Sequence, residues 1–316
     1  MNIQLIQFRE QIIKGIREYF YDQGFHEVVV PILQKTIPLE PNIYPFTADS
    51  FFLPTSPEST CIKYVAAGGG NCFAISPAFR NYEQTSPIHT QEFLMLEWYR
   101  EQSTAQKIMN EIQQLTLFIH NNCHCDPDVT SGEAISTNFP WKTFSLIKLF
   151  KKHIGISLPD HIDNRKMTSL ATQKGYETKG ASWEQLFNQL FLNEIEPKLG
   201  NYPIFITDYP SKISPLCKPK KDDPNFCERF ELYINGIEIA NGNAQNTDVD
   251  YIKKVFMEEQ NLRNTKGIVS PPIDASFLTA TGKLKTKRVC GVGLGIDRLT
   301  MVLTGTTNIG ELRIEK

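Results

Sequence analysis

CFAISPAFRNYEQTSPIHTQEFLMLEWYR, Cys72 to Arg100, reads as two strands joined by a long polar loop. Side chains alternate along a strand, so Phe73, Ile75 and Phe79 share one face of the first and Ala74, Ser76, Ala78 and Arg80 the other. Three small residues beside one arginine predict an open floor with a cation at its edge. In the second strand Phe93, Met95, Glu97 and Tyr99 share a face, opposite Leu94, Leu96 and Trp98. Burying the leucine and tryptophan side leaves an aromatic ring, a carboxylate and a phenol over that floor. The loop adds Glu83, His89 and Glu92. A guanidinium makes planar, bidentate contacts to phosphate and carboxylate, so Arg80 suits an anionic ligand. Phe93 offers a flat face for a base, and Glu97 a partner for an ammonium group. A surface hairpin with a salt-bridged arginine is the plainer alternative.

Composition narrows the class. The 316 residues are 22% charged and 41% hydrophobic, ordinary for a soluble globular protein. A net charge of −2 gives no broad field to draw in nucleic acid. Basic residues cluster only locally, in Lys212–Lys221 and Lys283–Arg288, where solvated loops are the ordinary explanation. Seven cysteines without framework spacing, and no leader before them, predict a reduced, cytoplasmic chain. Cys123, His124 and Cys125 invite a zinc reading, but no second ligand pair follows at finger spacing. No apolar run approaches the ~20 residues that span a bilayer, which excludes a membrane partner.

The chain opens with a predicted helix, Ile3 to Tyr21, striped by Leu5, Phe8, Ile12, Ile16, Tyr19 and Phe20. Gly24 ends it, and Phe25 to Val30 reads as a strand stopped by Pro31. In Thr55-Ser56-Pro57-Glu58, Ser56 suits a cap, with Glu58 near the positive end of a helix. After the central hairpin, Ser103 and Gln106 predict a capping box and a helix to about His120, lined by Ile108, Ile112, Leu115 and Ile119. Residues 126–200 read as mostly helical, with a second capping box at Ser182 and Gln185, and carry no legible chemistry. Tyr202 to Pro210 then gives a strand.

Two later stretches carry chemistry. In ERFELYINGIEIANG, Glu228 to Gly242, Asn235-Gly236 is the preferred two-residue hairpin turn, because both positions need positive φ. The pairing then sets Ile234 against Ile237, Tyr233 against Glu238, and Leu232 against Ile239. Those apolar residues share one side; Glu231, Tyr233 and Glu238 share the other. Two carboxylates on one face require a cation between them. A lysine or arginine would serve, but a hard divalent ion with phosphate ligands fits better. In GVGLGIDRLTMVLTG, Gly291 to Gly305, alternating glycines put Val292, Leu294 and Ile296 on one face and bare backbone on the other. A helix starting near Asp297 sets Arg298 at a positive end where phosphate would sit. Packing of the glycine strand against a neighbour is the alternative, and the spacing is not a dinucleotide fingerprint.

FRN, a loop and HTQEFLMLEWY together resemble the second signature motif of the class II aminoacyl-tRNA synthetases in its lysyl form. GFHEVVVP resembles the first motif, a helix and strand that build the family's dimer interface, and GVGLGIDR the third. TSPE and PIFITDYPSKISPLCK are similar to the same family, and the motifs stand in its order over nearly the full chain. The short elongation factor P lysyltransferases resemble this chain in length and layout. The resemblance implies an α+β fold, a mostly antiparallel sheet flanked by helices. Residues 1–316 are expected to form a single catalytic domain with a mostly helical insertion near 126–200 and no anticodon-binding domain.

It also implies roles. ATP would contact Arg80, Asn81, Glu83, His89, Phe93, Glu238, Asn241 and Arg298, with Arg80 and Arg298 catalytic. Mg²⁺ would bind Glu231 and Glu238. A lysine-like amino acid would be held by Ser56, Glu58, Glu97, Tyr99, Asn241, Gln245 and Gly293, with Glu58 at its α-ammonium. The acceptor would be elongation factor P rather than tRNA, and the protein a homodimer. A free-standing tRNA ligase and a non-catalytic amino acid or nucleotide sensor are the rival readings.

The sequence departs from the family at several positions. Tyr82 stands where the family has glutamate, and the loop to His89 is one residue longer. Tyr64 replaces a usual arginine, while Lys63 is kept. Asn243 and Gln245 replace Phe and Glu, so the pocket is expected to lack one charge for the lysine ε-ammonium. Gly293 matches the synthetases, whereas the elongation factor P enzymes carry alanine there.

Overall fold

The computed structural model describes residues 2–82, 86–123 and 140–314. The zinc reading at Cys123–Cys125, the candidate Glu83 and residues 126–139 of the insertion fall wholly or partly outside these.

The elements run α1 (Ile3–Asp22), β1 (His26–Glu27), β2 (Thr47–Ala48), β3 (Phe51–Phe52), α2 (Glu58–Ala66), β4 (Cys72–Phe79), β5 (Glu92–Arg100) and α3 (Ala105–Asn122). Then come β6 (Lys142–Ser145), α4 (Leu146–His153), α5 (Asn164–Gln173), α6 (Trp183–Leu190), β7 (Ile204–Pro210), β8 (Phe226–Ile234) and β9 (Ile237–Ala244). The chain closes with α7 (Val249–Thr265), α8 (Ala275–Lys283), β10 (Cys290–Gly295) and α9 (Ile296–Thr304).

Eight strands form one sheet in the order β1-β4-β5-β10-β9-β8-β7-β6. Only the outer pairs, β1 with β4 and β6 with β7, are parallel; the others are antiparallel, which is the expected α+β sheet. One face packs on helices through Phe8, Ile12 and Phe20 of α1, Ile112 and Leu115 of α3, and Leu299 and Val302 of α9. Phe73, Leu96, Trp98, Leu232, Val292 and Leu294 answer from the strands, so the alternation read from sequence is realised. The opposite face is covered only at its two ends. Cys61 and Val65 of α2, with Phe256 and Phe277, cover Cys72, Ala74 and Tyr99 at one end. Leu149 and Phe150 of α4 and Phe187 of α6 cover Ile204, Ile206 and Tyr233 at the other. The gap between these two clusters is the site.

Several local expectations change. The strand expected over Phe25–Val30 shortens to His26–Glu27, since among the described residues it pairs with β4 alone and the chain leaves the edge, exposing Val29 at 88%. The capping residue of α3 is Thr104, whose hydroxyl accepts the Lys107 amide at 3.3 Å; Ser103 instead is buried with its hydroxyl unpartnered. The Ser182–Gln185 box does form. Residues 126–200 also hold β6, a strand the helical reading missed. Ala74, Ser76 and Ala78 are buried, so the open floor lies on β5, β10 and β9 instead.

One correction decides the site. Asn235 and Gly236 turn the hairpin with φ of 53° and 71°, and Tyr233 pairs with Glu238 as expected. A bulge then shifts the register between Leu232 and Tyr233, so Leu232 pairs with Ala240 rather than Ile239, and Glu231 with Asn241. Strict alternation would put Asn241, Asn243 and Gln245 on the face opposite Glu238. The extra residue flips them onto the same face.

Candidate active site

The gap is a cavity of about 380 Å³ with two chemically distinct ends. The first end is rich in phosphate-compatible groups. Arg80 follows directly on β4, lies 5.2 Å from the Phe93 ring centroid and donates from Nε to the Thr55 carbonyl at 3.4 Å. Arg298, in the first turn of α9, donates from Nε to the Ile88 carbonyl at 3.2 Å and from Nη1 to the Glu238 carbonyl at 2.9 Å. Its Nη1 stands 3.8 Å from the Glu238 carboxylate. Behind it, buried Asp297 accepts the Arg9 guanidinium at 2.9 Å and the Leu94 amide at 2.8 Å, which ties α9 to α1 and β5. His89 lines the cavity with its Nδ1 2.8 Å from the Ser86 hydroxyl.

The two glutamates that share a face in the sequence have different surroundings. Glu231 is buried, and both its oxygens are engaged: Arg229 Nη2 donates at 2.6 Å, Tyr209 at 2.5 Å and Tyr233 at 2.9 Å. A protein cation thus already answers this carboxylate. Glu238 is half-exposed with an oxygen open to the cavity. Burial and then Glu231 push its carboxyl up, while Arg298 pulls it back. Among the described residues no group of three or more His, Cys, Asp or Glu forms a metal cage. The donor set suits Mg²⁺, which takes one or two carboxylates and draws its remaining oxygens from phosphate and water.

The second end is acidic and enclosed. Glu58 opens α2, its amide donating to the Ser56 hydroxyl at 3.1 Å. Its Oε1 accepts from Gln245 Nε2 at 3.2 Å. Burial, then Glu40 and Glu97, push the Glu58 carboxyl well above the usual range. Glu97 accepts the Tyr99 hydroxyl at 3.1 Å and is pushed up to about 7, chiefly by burial. The glycines of β10 make room here. A Cβ at Gly291 would stand 2.2 Å from the Tyr99 ring, and one at Gly293 3.2 Å from a Glu97 oxygen.

Most expected residues meet in this cavity: Ser56, Glu58, Arg80, His89, Phe93, Glu97, Tyr99, Glu231, Glu238, Asn241, Gln245, Gly293 and Arg298 all line it. Asn81 does not; its side-chain carbonyl accepts the Tyr82 amide at 2.9 Å and closes its own turn. Lys63 also turns away, pairing with Asp274 at 2.6 Å. Sequence reasoning missed Arg229 and Glu40. Arg229 lies two residues before Glu231 on the same strand face, a spacing that was there to be read. Glu40 sits in an irregular loop with no periodicity to mark its direction.

The family tRNA synthetases class II (D, K and N) matches residues 2–314. The chain is 32% identical to the elongation factor P–(R)-beta-lysine ligase of Baumannia cicadellinicola, over 98% of this chain and 94% of that protein. It is 30% identical to the ligase of the same name from Pectobacterium atrosepticum, over 93% and 89%. Against the lysine–tRNA ligase of Saccharolobus solfataricus it is 30% identical over 97% of this chain but 63% of that protein. With the match running from residue 2 to residue 314, the chain belongs to the class II tRNA synthetases of the D, K and N group.

Proposed function

We propose that the protein activates lysine or a lysine-like amino acid with ATP and transfers it to a lysine side chain of elongation factor P. The observation that carries this reading is the joining of two buried carboxylates, Glu58 and Glu97, to the Arg80–Arg298–Glu238 end within one cavity. The ligases matched over nearly their whole length support the acceptor.

In the proposed reaction the amino acid carboxylate attacks the α-phosphate. A carboxyl O–P bond forms, and the bond to pyrophosphate breaks with its electron pair leaving on pyrophosphate. Arg80 steadies the α-phosphate, Arg298 and His89 hold the leaving phosphates, and Phe93 stacks on adenine through the ring face away from Arg80. Asn241, brought round by the bulge, faces both substrates. Glu238, with Glu231 behind it, would hold Mg²⁺, which supplies charge neutralisation of the phosphates. Positioning and fixed charge account for catalysis, without a covalent enzyme intermediate.

We assign residues 1–316 to one catalytic domain carrying the insertion near 126–200, and place it in the cytoplasm, where buried free thiols such as Cys61, Cys72 and Cys227 stay reduced. Among the described residues no helix is long and apolar enough to cross a membrane. We also propose a homodimer through α1 and the chain up to Pro31, because Ile3, Tyr21 and Val29 expose apolar side chains there. Light scattering at micromolar concentration is expected to give twice the chain mass; the mass of a single chain would refute the dimer.

The decisive assay is amino-acid-dependent ATP–pyrophosphate exchange over a panel containing both lysine isomers. Exchange with none of them would favour the sensor reading. Its pH dependence follows from Glu97. An ammonium needs the ionised carboxylate, so the lysine KM is expected to fall as pH rises through about 7. Bound ammonium lowers the Glu97 pKa, so binding at neutral pH should release a proton, measurable by calorimetry in buffers of different ionisation enthalpy. Proton uptake would contradict the assignment. In the free protein the same group acts in the opposite direction. Its folded pKa lies above the ordinary 4.5, so its contribution to stability declines as pH climbs from there to about 7.

A further inference from the structure

Glu40 lines the acidic end of the cavity together with Glu58 and Glu97. Its loop is held from both sides. Leu39 is fully buried among Cys61, Ile62 and Val65. On the other side Arg263, reaching across from α7, donates from Nη2 to the carbonyls of Glu40 at 2.6 Å and Ile43 at 3.0 Å. That guanidinium is itself buried, fixed by Glu259 at 2.6 Å and lying 4.9 Å from the Tyr44 ring centroid. The Tyr44 carbonyl in turn accepts the Asn81 amide at 2.7 Å, tying the loop to the segment after β4. The backbone at Glu40 is therefore clamped, and its carboxylate forms part of the pocket wall.

The charge balance of this end is unusual. Glu58 and Glu97 are 8% and 6% exposed. Among the described residues none of the three carboxylates forms an ion pair; the arginines whose charge reaches Glu40 are Arg80, Arg229 and Arg263, and the last two pair with Glu231 and Glu259. The amide of Gln245 is turned to Glu58 and brings no charge. An amino acid with a neutral side chain brings a single ammonium, so the carboxyls it leaves without a partner stay raised by burial and take up protons. A diamino acid brings a second ammonium that can ionise and pair with one more of them, and this ion pair is what separates the two substrates.

We propose that Glu40 is a specificity-determining residue, a third carboxylate beside Glu58 and Glu97 through which the pocket favours a substrate with two ammonium groups. It supplies the charge that Gln245 lacks, from an unrelated loop. The inference rests on the activation reading above for its substrate.

The test compares Glu40→Gln and Glu40→Asp with the parent. In pyrophosphate exchange, Glu40→Gln should lower kcat/KM for lysine roughly 10- to 100-fold, through the amino acid KM. The KM for ATP should stay unchanged, norleucine should lose nothing, and Glu40→Asp should recover part of the loss. Equal losses for lysine and norleucine, or a change confined to the ATP KM, would overturn the proposal and assign Glu40 to balancing Arg80 and Arg229. Binding provides a second readout independent of turnover. 1,5-Diaminopentane should raise the melting temperature of the parent more than pentylamine does, and Glu40→Gln should abolish that difference. A parent that binds the diamine selectively but exchanges with no amino acid would remove the activation reading and keep the role of Glu40. Lysine exchange by the parent with Glu40→Gln unaffected would do the reverse, and a parent showing neither activity would remove both.

Discussion

Glu238→Gln is expected to lower adenylate formation at least about 100-fold while the protein melts within a few degrees of the parent, whereas Glu231→Gln should lose both activity and fold stability. The sequence treats these glutamates as a matched pair on one hairpin face. The structure separates them. Glu231 answers buried Arg229 at 2.6 Å and two tyrosine hydroxyls, so its neutral isostere leaves a guanidinium without its charge partner. Breaking a buried ion pair on one side typically costs about 3–5 kcal/mol. Glu238 is half-exposed, its nearest cation is 3.8 Å away, and its free oxygen faces the cavity. Its loss should appear in the Mg²⁺ dependence of exchange, as a raised requirement for the ion. Near-normal adenylate formation by Glu238→Gln at limiting Mg²⁺ would rule it out as the metal ligand. If Glu231→Gln melts like the parent, the Arg229 pair contributes nothing to the fold.

Arg80→Ala should lower kcat about 10²- to 10³-fold, the loss that follows removal of one preorganised group from a developing charge. Arg80→Lys makes the sharper probe. It keeps the positive charge but loses the planar fork and the stacking over Phe93 at 5.2 Å. A residual defect of about tenfold in the lysine variant would show that geometry matters as well as charge. Full activity of Arg80→Ala would mean that Arg80 does not touch the reacting phosphate, and full activity of Arg80→Lys that its charge alone suffices. Single-turnover measurement of the adenylate distinguishes this from a weakened ATP complex, because a pure binding defect disappears at saturating nucleotide.

Much of the site was legible because strand periodicity is local. Phe93, Met95, Glu97 and Tyr99 alternate with leucines and a tryptophan that only a core accepts, so their direction followed without knowledge of their neighbours. The glycines of β10 behaved the same way, since Val292 and Leu294 could face only the core. The departure at Gln245 was also visible, but its consequence was not. The expected charge deficit is offset by Glu40, which lies far away in sequence and carries no pattern.

The sequence by itself determined the faces of β5 and β10, the Asn235–Gly236 turn, the helices of the core face and the membership of the family, because each depends on short-range alternation or on a contiguous motif. Three things were decided only by the tertiary structure. The bulge between β8 and β9 puts Asn241, Asn243 and Gln245 on the face of Glu238, and a register shift depends on both strands at once. Arg229 turns to Glu231 because Tyr209, on a neighbouring strand, closes the other side of that carboxylate. Glu40 enters the pocket because Arg263, more than two hundred residues later, clamps its backbone. Each rests on a partner remote in sequence, and periodicity carries no information about such partners.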